Sequence, residues 1–266
     1  METLPQNQYA LLRPLFAPFV DHLSPQAVLA GRMPGSVLVD ALDRPTVALL
    51  LCAEGTYLTS ACPPVALAPD RVALLRETLR NCGHDIYLFV STPDWEAHLA
   101  DLFDGVAPLK TPRRSYALHA LAGGWHRNIP ESLILRQLDG SFFDQPALAN
   151  YAPIADWAIN NWGSVAQFVA DGFGFGLLHG DMIVSWCLAD CISGDRCEIG
   201  IHTDPTQRRQ GFATIVVAAS VAFALERGIT TVGWQCAEDN RGSQAVAEKV
   251  GFVHRSSCVM YWGHRS

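Results

Sequence analysis

The stretch Gln207-Arg208-Arg209-Gln210-Gly211-Phe212-Ala213-Thr214 decides the fold prediction. It follows an alternating segment, residues 197–203, that is typical of a strand, and it leads into an apolar segment that predicts a helix over residues 213–227. The first amides of a helix have no intrahelical acceptor, and together with the helix dipole they favour an anion. The small residues at 211 and 213 let the backbone approach a phosphate closely, and the two arginines add positive charge. We therefore predict a phosphate-binding turn; the plainer alternative is a strand-to-helix turn with solvated arginines.

This turn does not match the two commonest nucleotide-binding loops. The P-loop requires G-x-x-x-x-G-K-[ST], and the dinucleotide-binding Rossmann fold requires G-x-G-x-x-G. Neither pattern occurs in this stretch, so neither a P-loop nucleotidase nor a Rossmann dehydrogenase is supported.

Composition and charge exclude several other classes. Of the 266 residues, 49% are hydrophobic and 17% are charged, which excludes a disordered chain. A formal net charge of −7 gives no global attraction to nucleic acid or to an anionic membrane. The longest apolar run, residues 215–225, falls short of the ~20 residues of a spanning helix, and residues 1–5 lack the basic start of a signal peptide. We expect a soluble, cytoplasmic protein that binds neither nucleic acid nor membrane.

Eight cysteines are present, but they form no C-x-x-C pair and no familiar zinc-ligand spacing. Several lie within apolar runs, as in Ser185-Trp186-Cys187-Leu188. We expect reduced, buried cysteines and no metal site.

A stretch rich in charged and helix-breaking residues, 107–128, is interpreted as a boundary between two domains. The prediction is an N-terminal α/β domain over residues 1–126 and a second α/β domain over residues 127–266. The elements predicted in the first domain are a hairpin (37–40 and 46–52), a strand (56–60), a helix (70–81), a strand (86–90) and a helix (93–103). Those predicted in the second are a strand (133–138), helices (154–161 and 165–170), a hairpin (173–178 and 182–188), a strand (197–203), a helix (213–227), a strand (232–235), a helix (240–250) and a strand (258–262).

Further motifs follow the turn in the second domain: Asn240-x-x-Ser243 and Lys249-Val250-Gly251-Phe252. Together with Arg208-x-x-Gly211-x-Ala213, they resemble the GNAT superfamily of N-acetyltransferases over about residues 130–266. The resemblance implies a GNAT-type mixed sheet flanked by helices, and transfer of an acetyl group from acetyl-CoA. Residues 198–203, with Trp234-x-Cys236 and Asn240-x-x-Ser243, are also similar to a subgroup that includes zwittermicin-resistance acetyltransferases.

The resemblance also implies how acetyl-CoA would be held. The backbone at the end of the strand over 198–203 would pair with the pantetheine arm, and the turn amides with the arginines would hold the pyrophosphate. The strands over 198–203 and 232–236 would separate to form a slot for the thioester. The implied binding residues are Ile201, His202, Thr203, Arg208, Arg209, Gln210, Gly211, Phe212, Ala213, Thr214, Asn240 and Ser243.

Glu198 is the candidate general base for attack by an amine on the thioester, because family members often carry a glutamate at this place. A solvated or paired carboxylate is the alternative for this residue. The family's usual acid, a tyrosine four residues after the serine, is Ala247 here. Tyr261, Cys236, His202 or no dedicated donor remain open as the source of the proton for the thiolate.

The function predicted from these residues is acetylation of a primary amine of a small molecule, by direct attack in a ternary complex. A covalent acyl intermediate on Cys236 is the alternative mechanism. A non-catalytic acyl-CoA-binding or regulatory protein is the alternative class.

The order of elements over residues 36–103 resembles the order over 173–250, which suggests a degenerate copy of the acetyltransferase unit. The segment before its helix contains Pro63 and Pro64 and has no glycine or arginine before Arg71. Because prolines remove amide donors, we expect no CoA binding there. In the second domain, Trp157 lies where the family places part of the acceptor wall. We interpret it as a core or edge aromatic, and a substrate-facing aromatic is the alternative.

Overall fold

The computed structural model describes residues 1–82, 85–125 and 129–263. The chain divides into two compact units: unit 1 comprises Met1–Arg113 with Ser257–Ser266, and unit 2 comprises Arg114–Ser256. The boundary predicted between residues 126 and 127 lies outside the described residues. The division differs from the predicted domains in that unit 2 begins at Arg114 and the end of the chain belongs to unit 1.

The strands are β1 (Glu2–Thr3), β2 (Ser36–Val39), β3 (Val47–Cys52), β4 (Gly55–Ser60), β5 (Ile86–Val90), β6 (Leu109–Leu118), β7 (Ile134–Gln137), β8 (Gly174–His179), β9 (Met182–Ser193), β10 (Arg196–Thr203), β11 (Thr231–Ala237) and β12 (Val253–Gly263). The helices are α1 (Leu23–Leu29), α2 (Pro69–Asn81), α3 (Leu99–Leu102), α4 (Gly140–Phe143), α5 (Tyr151–Trp162), α6 (Val165–Asp171), α7 (Phe212–Glu226) and α8 (Arg241–Val250). Short 3₁₀ helices cover Gln6–Leu12, Ala17–Phe19, Pro64–Ala66, Pro93–His98 and Pro205–Gln207.

In unit 1 the strand order is β1-β2-β3-β4-β5-β12. Strands β1 to β4 are antiparallel neighbours, β4 and β5 are parallel, and β12 lies antiparallel to β5. The helix predicted over 70–81 is confirmed as α2, which begins at Pro69 and buries Leu75 and Leu79. The predicted helix over 93–103 is a 3₁₀ helix followed by α3.

In unit 2 the strand order is β6-β11-β10-β9-β8-β7. Strands β7 to β10 are antiparallel neighbours, whereas β10 and β11 are parallel. Helix α7, which connects these two parallel strands, packs on β9 and is buried along most of its length, with Val216, Val217 and Val221 fully covered. The hairpin, strands and helices predicted from residue 173 onward are confirmed, and with them the α/β fold with a mixed sheet.

Strand β6 was not predicted, because its sequence has the features of a linker. Pro112 and the charged residues around it favour an irregular segment, yet Tyr116 and Leu118 are buried and Arg114 forms an ion pair with Glu238. The ion pair allows a charged residue to lie within the strand. A segment interpreted as a boundary therefore supplies the strand next to β11.

All eight cysteines are free thiols, as predicted; the predicted burial is confirmed for four of them, and the other four are half-buried. Burial raises the pKa of Cys187 to about 12, which keeps this thiol protonated. Within the described parts of the chain, no three His, Cys, Asp or Glu side chains form a group that could hold a metal ion. No helix of these same parts is long and apolar enough to cross a bilayer.

Candidate functional site

Strands β10 and β11 separate after a short stretch of pairing. Across the described residues their register runs from Arg196↔Thr231 to Glu198↔Gly233 and ends there. Beyond it, β10 stays paired with β9 as far as Thr203, while β11 continues to Ala237. The predicted separation of these strands is confirmed. A strand edge without a partner offers backbone groups to an extended ligand; we call this gap the β10–β11 opening.

A β-bulge lies beside the closed end of the opening. On β9 the partner of Ile199 is Ala189, but the partner of Glu198 is Cys191, so Asp190 is the extra residue. Bulges bend a strand and increase its twist, and they redirect side chains at functional sites. Asp190 is only 7% exposed. Nothing in the sequence reasoning identified this residue.

Glu198, the candidate base, is the last residue of β10 that pairs with β11. A Cβ atom added to Gly233 would lie 2.9 Å from Glu198 Cγ and 3.5 Å from Glu198 Oε1. The Glu198 side chain therefore lies over Gly233, at the point where the two strands begin to separate. This position is at the closed end of the opening.

The predicted phosphate-binding turn has the backbone that an anion site needs. Gly211 adopts φ +84° directly before α7, and Arg209 adopts φ +67°. A Cβ atom at Gly211 would meet nothing within 4 Å, so the space before the helix is open. Arg208, Arg209 and Gln210 are exposed, whereas the Phe212 side chain is buried in the core. Phe212 therefore offers only its amide at this turn.

The segment before the turn is braced by side chains. The Asp204 carboxylate accepts hydrogen bonds from the amide and hydroxyl of Thr206, at 2.9 and 2.6 Å. Asn150 donates to Asp204 Oδ2 at 3.1 Å and to the Ile183 carbonyl at 2.9 Å. The bonds from Thr206 hold the pKa of Asp204 below its usual value. The carboxylate thus stabilises the loop, which fixes where the turn begins.

The end of β10 is partly engaged by the protein itself. The His202 carbonyl accepts from Ser185 Oγ at 3.1 Å, and the Thr203 carbonyl accepts from Arg208 Nε at 3.3 Å. The His202 ring stacks on Trp186 with centroids 4.5 Å apart. Burial, with Arg208 nearby, lowers the pKa of His202 and favours the neutral ring. Of the three predicted contact residues here, two already use their carbonyls.

Asn240 and Ser243 have structural partners at the start of α8. Asn240 Oδ1 accepts from the Ser243 amide at 3.0 Å and caps the helix. Ser243 Oγ accepts from Trp234 Nε1 on β11 at 3.1 Å. Ala247, at the position of the family's tyrosine, is fully buried, so the missing hydroxyl is replaced by core packing.

Besides His202, the two other alternative acids, Cys236 and Tyr261, lie in different environments. Cys236 is 5% exposed within the core of unit 2. Tyr261 belongs to unit 1, where its hydroxyl donates to Glu96, and burial with this carboxylate raises its pKa. The proton of the Tyr261 hydroxyl is therefore engaged in a hydrogen bond to Glu96.

Comparison with known proteins places this geometry in a family. The model of the GNAT acetyltransferase family matches residues 13–261, a wider range than the resemblance at 130–266. The chain is 26% identical over 263 residues to YdfB, an uncharacterized N-acetyltransferase of Bacillus subtilis (strain 168), and the match covers 98% of each chain. A second relative of that organism, the uncharacterized N-acetyltransferase YjdG, is 32% identical over 78 residues, covering 28% of this chain and 46% of YjdG.

Two solved structures show the same fold. A GCN5-related N-acetyltransferase-like protein from Streptococcus suis 89/1591 has a TM-score of 0.75 at 20% identity, covering 96% of this chain and 98% of that one. A tandem GNAT protein from the clavulanic acid biosynthesis pathway has a TM-score of 0.64 at 14% identity, covering 99% and 97%. These two likenesses show only the fold, whereas the family match over residues 13–261 shows the family. The chain therefore belongs to the GNAT acetyltransferase family and is a GNAT-type N-acetyltransferase.

Proposed function

We propose that this chain transfers the acetyl group of acetyl-CoA to a primary amine of a small molecule, by direct attack in a ternary complex. The observation that carries the proposal is the β10–β11 opening, which has Glu198 at its closed end and leads, along β10, toward the glycine turn before α7. One strand thus connects a carboxylate to an anion-binding turn.

The residues of the opening fit acetyl-CoA. The open space at Gly211 would admit a pyrophosphate to the first amides of α7, and the exposed side chains of Arg208 and Arg209 would add charge. Those backbone groups of β10 from Ile201 to Thr203 that the protein does not already engage would bind the amide groups of the pantetheine arm. When bound, the thioester supplies an electrophilic carbonyl carbon.

In the proposed reaction Glu198 accepts a proton from the acceptor's ammonium group, which frees the nitrogen lone pair for attack. The new C–N bond forms as the C–S bond breaks, and CoA leaves as a thiolate that takes the second proton, which the nitrogen gives up as it becomes an amide. A thiolate is a much better leaving group than an amide anion, so the step proceeds without a dedicated acid. We assign no residue to that role.

A covalent intermediate on Cys236 is less well supported, because this thiol is 5% exposed and lies in a packed core. The acceptor class we propose is a cationic small molecule, which suits a chain of net charge −7.

We also propose that unit 1 is a degenerate copy of the acetyltransferase unit that does not bind CoA. Its strands β2 to β5 follow the same order and directions as β8 to β11. The solved neighbour with a tandem GNAT arrangement supports this interpretation.

The test is Glu198→Gln, with Glu248→Gln on the exposed face of α8 as the matched control. Free thiol release from acetyl-CoA is followed over a panel of primary amines, and acetyl-CoA binding is measured by calorimetry. We expect Glu198→Gln to lower kcat/KM at least about a hundredfold, a usual contribution of a general base, with the affinity for acetyl-CoA unchanged. Full activity of Glu198→Gln would exclude the assigned base. Acetyl-CoA binding by the wild type without turnover on any amine would favour a non-catalytic acyl-CoA-binding protein.

A further inference from the structure

The extra residue of the β9 bulge is a buried carboxylate that needs hydrogen-bond donors. Asp190 is 7% exposed, and an uncompensated carboxylate at that depth would be strongly destabilising. Its Oδ1 accepts from Trp157 Nε1 at 2.8 Å and from Asn161 Nδ2 at 3.4 Å. The two donors are one turn apart on α5, so both reach the same carboxylate.

A third bond anchors the same helix at the adjacent residue. Trp162 Nε1 donates to the Ala189 carbonyl at 2.8 Å, and this contact is buried. Helix α5 is therefore held to the bulge by three side-chain donors within two turns. The bulge fixes the helix, and the helix in turn satisfies the carboxylate.

The Trp157 indole lies directly on the backbone of β10. A Cβ atom at Gly200 would come within 2.0 Å of Trp157 Cζ2 and 2.7 Å of Asp190 Oδ1. Only glycine allows this approach. Because successive side chains of a strand alternate between faces, Gly200 shares a face with Glu198, two residues earlier. The indole is thus next to the candidate base along the same face of β10.

From this geometry we propose that Asp190 is a positioning residue that holds the Trp157 indole against Gly200 as a wall of the acceptor site. The inference rests on the proposed function, because it concerns the amine that reaches Glu198. Trp157 is half-buried, so the core does not enclose this residue completely. An indole face attracts ammonium groups, and its fixed position limits the width of the molecule beside it.

The central test compares Asp190→Asn with Asp190→Leu. Asparagine keeps an oxygen that accepts from Trp157 but removes the charge; leucine removes both. We expect Asp190→Leu to raise the acceptor KM about tenfold, with kcat and the acetyl-CoA affinity within about twofold of wild type, the size of one lost charge-assisted bond. Asp190→Asn should restore a KM close to that of the wild type. The probes are three primary amines of different width: ethanolamine, benzylamine and tryptamine. We expect Asp190→Leu to discriminate less among them than the wild type does.

Trp157→Phe provides a second variant if Asp190→Leu does not fold. It keeps an aromatic ring but lacks the donor, so we expect the same rise in the acceptor KM. Where Asp190→Leu folds, its combination with Trp157→Phe should raise the KM little more than either change alone. An unchanged KM in Asp190→Leu or Trp157→Phe would overturn the proposal, leaving Asp190 a purely structural group. The proposal would also be overturned if Asp190→Asn raised the acceptor KM as much as Asp190→Leu and shifted the pH profile. That result would indicate an electrostatic role for Asp190.

A readout that needs no turnover separates this inference from the proposed function. The Trp157 indole N–H signal, assigned by its loss in Trp157→Phe, should exchange slowly with solvent in the wild type and in Asp190→Asn. It should exchange rapidly in Asp190→Leu. If the wild type acetylates none of the amines, the proposed function and the acceptor wall fail together, while slow exchange would still show that Asp190 holds the indole. Equal exchange in wild type and Asp190→Leu would overturn the positioning role itself.

Discussion

Unit 1 and unit 2 contain the same arrangement of strands, but among the described residues their parallel pairs differ in how far the strands continue beyond the last paired position. In unit 1, β3 and β4 pair without interruption from Val47↔Ser60 to Cys52↔Gly55. Strand β4 pairs with β5 through Leu58↔Val90, where the Ser91 amide donates to the Leu58 carbonyl at 3.0 Å, and β5 ends at Val90. In unit 2 the corresponding pairs contain a bulge at Asp190 and separate after Glu198. The bulge on β9, and the lengths of β10 and β11 beyond their last paired position, distinguish unit 2 from unit 1. The strand order does not.

Helix α7 connects the parallel strands of unit 2, and helix α2 connects those of unit 1. The two helices differ at their N-termini. Helix α7 follows a glycine at φ +84°. Helix α2 follows a 3₁₀ helix that starts at Pro64, has Ala68 at its cap and begins with Pro69, so amide donors are missing where a phosphate would bind. The two helix N-termini, in equivalent places, thus differ in the amide donors and the space that they offer to an anion.

Aromatic packing covers the closed strand pair of unit 1. Tyr57 and Phe89, opposite each other on β4 and β5, stack with centroids 5.1 Å apart, and His22 lies 4.8 Å from Phe89. At the last paired position of unit 2, a glycine and the Glu198 side chain take the place of such rings. The comparison shows that unit 1 uses its parallel pair for stability.

The largest effect that sharpens this comparison should come from removing the end of β12. Tyr261 pairs with Leu88 on β5 and is 5% exposed, so a deletion of Ser257–Ser266 removes a strand from the core of unit 1. We expect unit 1 to lose on the order of 5 kcal/mol, which is comparable to the whole stability of a small domain. Hydrogen exchange measures this unit by unit, and Tyr261→Phe, which loses only the bond to Glu96, is the control. Unchanged protection of β5 would show that β12 is dispensable.

Acid should weaken unit 1 through His22 by a smaller amount. Burial, with Arg113 nearby and against the opposing effect of Asp21, lowers the pKa of His22 from 6.5 to about 4. The folded state therefore excludes a proton that the unfolded state binds below pH 6.5, and stability is lost as the pH falls. Between pH 6.5 and 4 the loss should be about 3 kcal/mol. Denaturant unfolding at several pH values measures this slope, which His22→Phe should reduce by that amount; an unchanged slope in the variant would assign it to other groups.

The smallest effects should come from two arginines at the equivalent helices α2 and α7. Replacing one should lower stability alone, and replacing the other should lower acetyl-CoA affinity alone. Arg71, in the first turn of α2, contacts Asp40 and Thr46, whereas Arg208, before α7, is exposed. We expect Arg71→Ala to destabilise unit 1 by about 1 kcal/mol without changing acetyl-CoA affinity. Arg208→Ala should weaken acetyl-CoA binding about five- to tenfold, most at low salt, with unchanged stability. Calorimetry and thermal unfolding of both variants check this; equal effects of the two on binding would contradict the assignment.

Sequence reasoning found the local features of unit 2 and missed the non-local ones. Periodicity and turn chemistry identified β10, α7 and the glycine before α7, because each leaves a signal within a few residues. The bulge at Asp190 adds one residue to a strand without any marker, so its contact with Trp157 was not predicted, and Trp157 was interpreted as a core or edge aromatic.

Strand β6 was missed because Pro112 and its charged neighbours carry a linker signal, and the pairing of Arg114 with Glu238 depends on residues far away in the chain. The pairing of β12 with β5 is equally non-local. Contacts of this kind are decided by tertiary packing, which hydrophobic patterns within one segment do not encode.

The central claim, one acetyl-CoA site in unit 2 and none in unit 1, is tested most directly by calorimetric titration with acetyl-CoA. The variants are Gly211→Asp, which places a carboxylate at the cap of α7, and Ala68→Asp, which does the same at the cap of α2. The account predicts one molecule bound per chain, a loss of affinity of at least about a hundredfold in Gly211→Asp, and unchanged binding in Ala68→Asp. Two molecules per chain, or binding that survives Gly211→Asp but not Ala68→Asp, would contradict it.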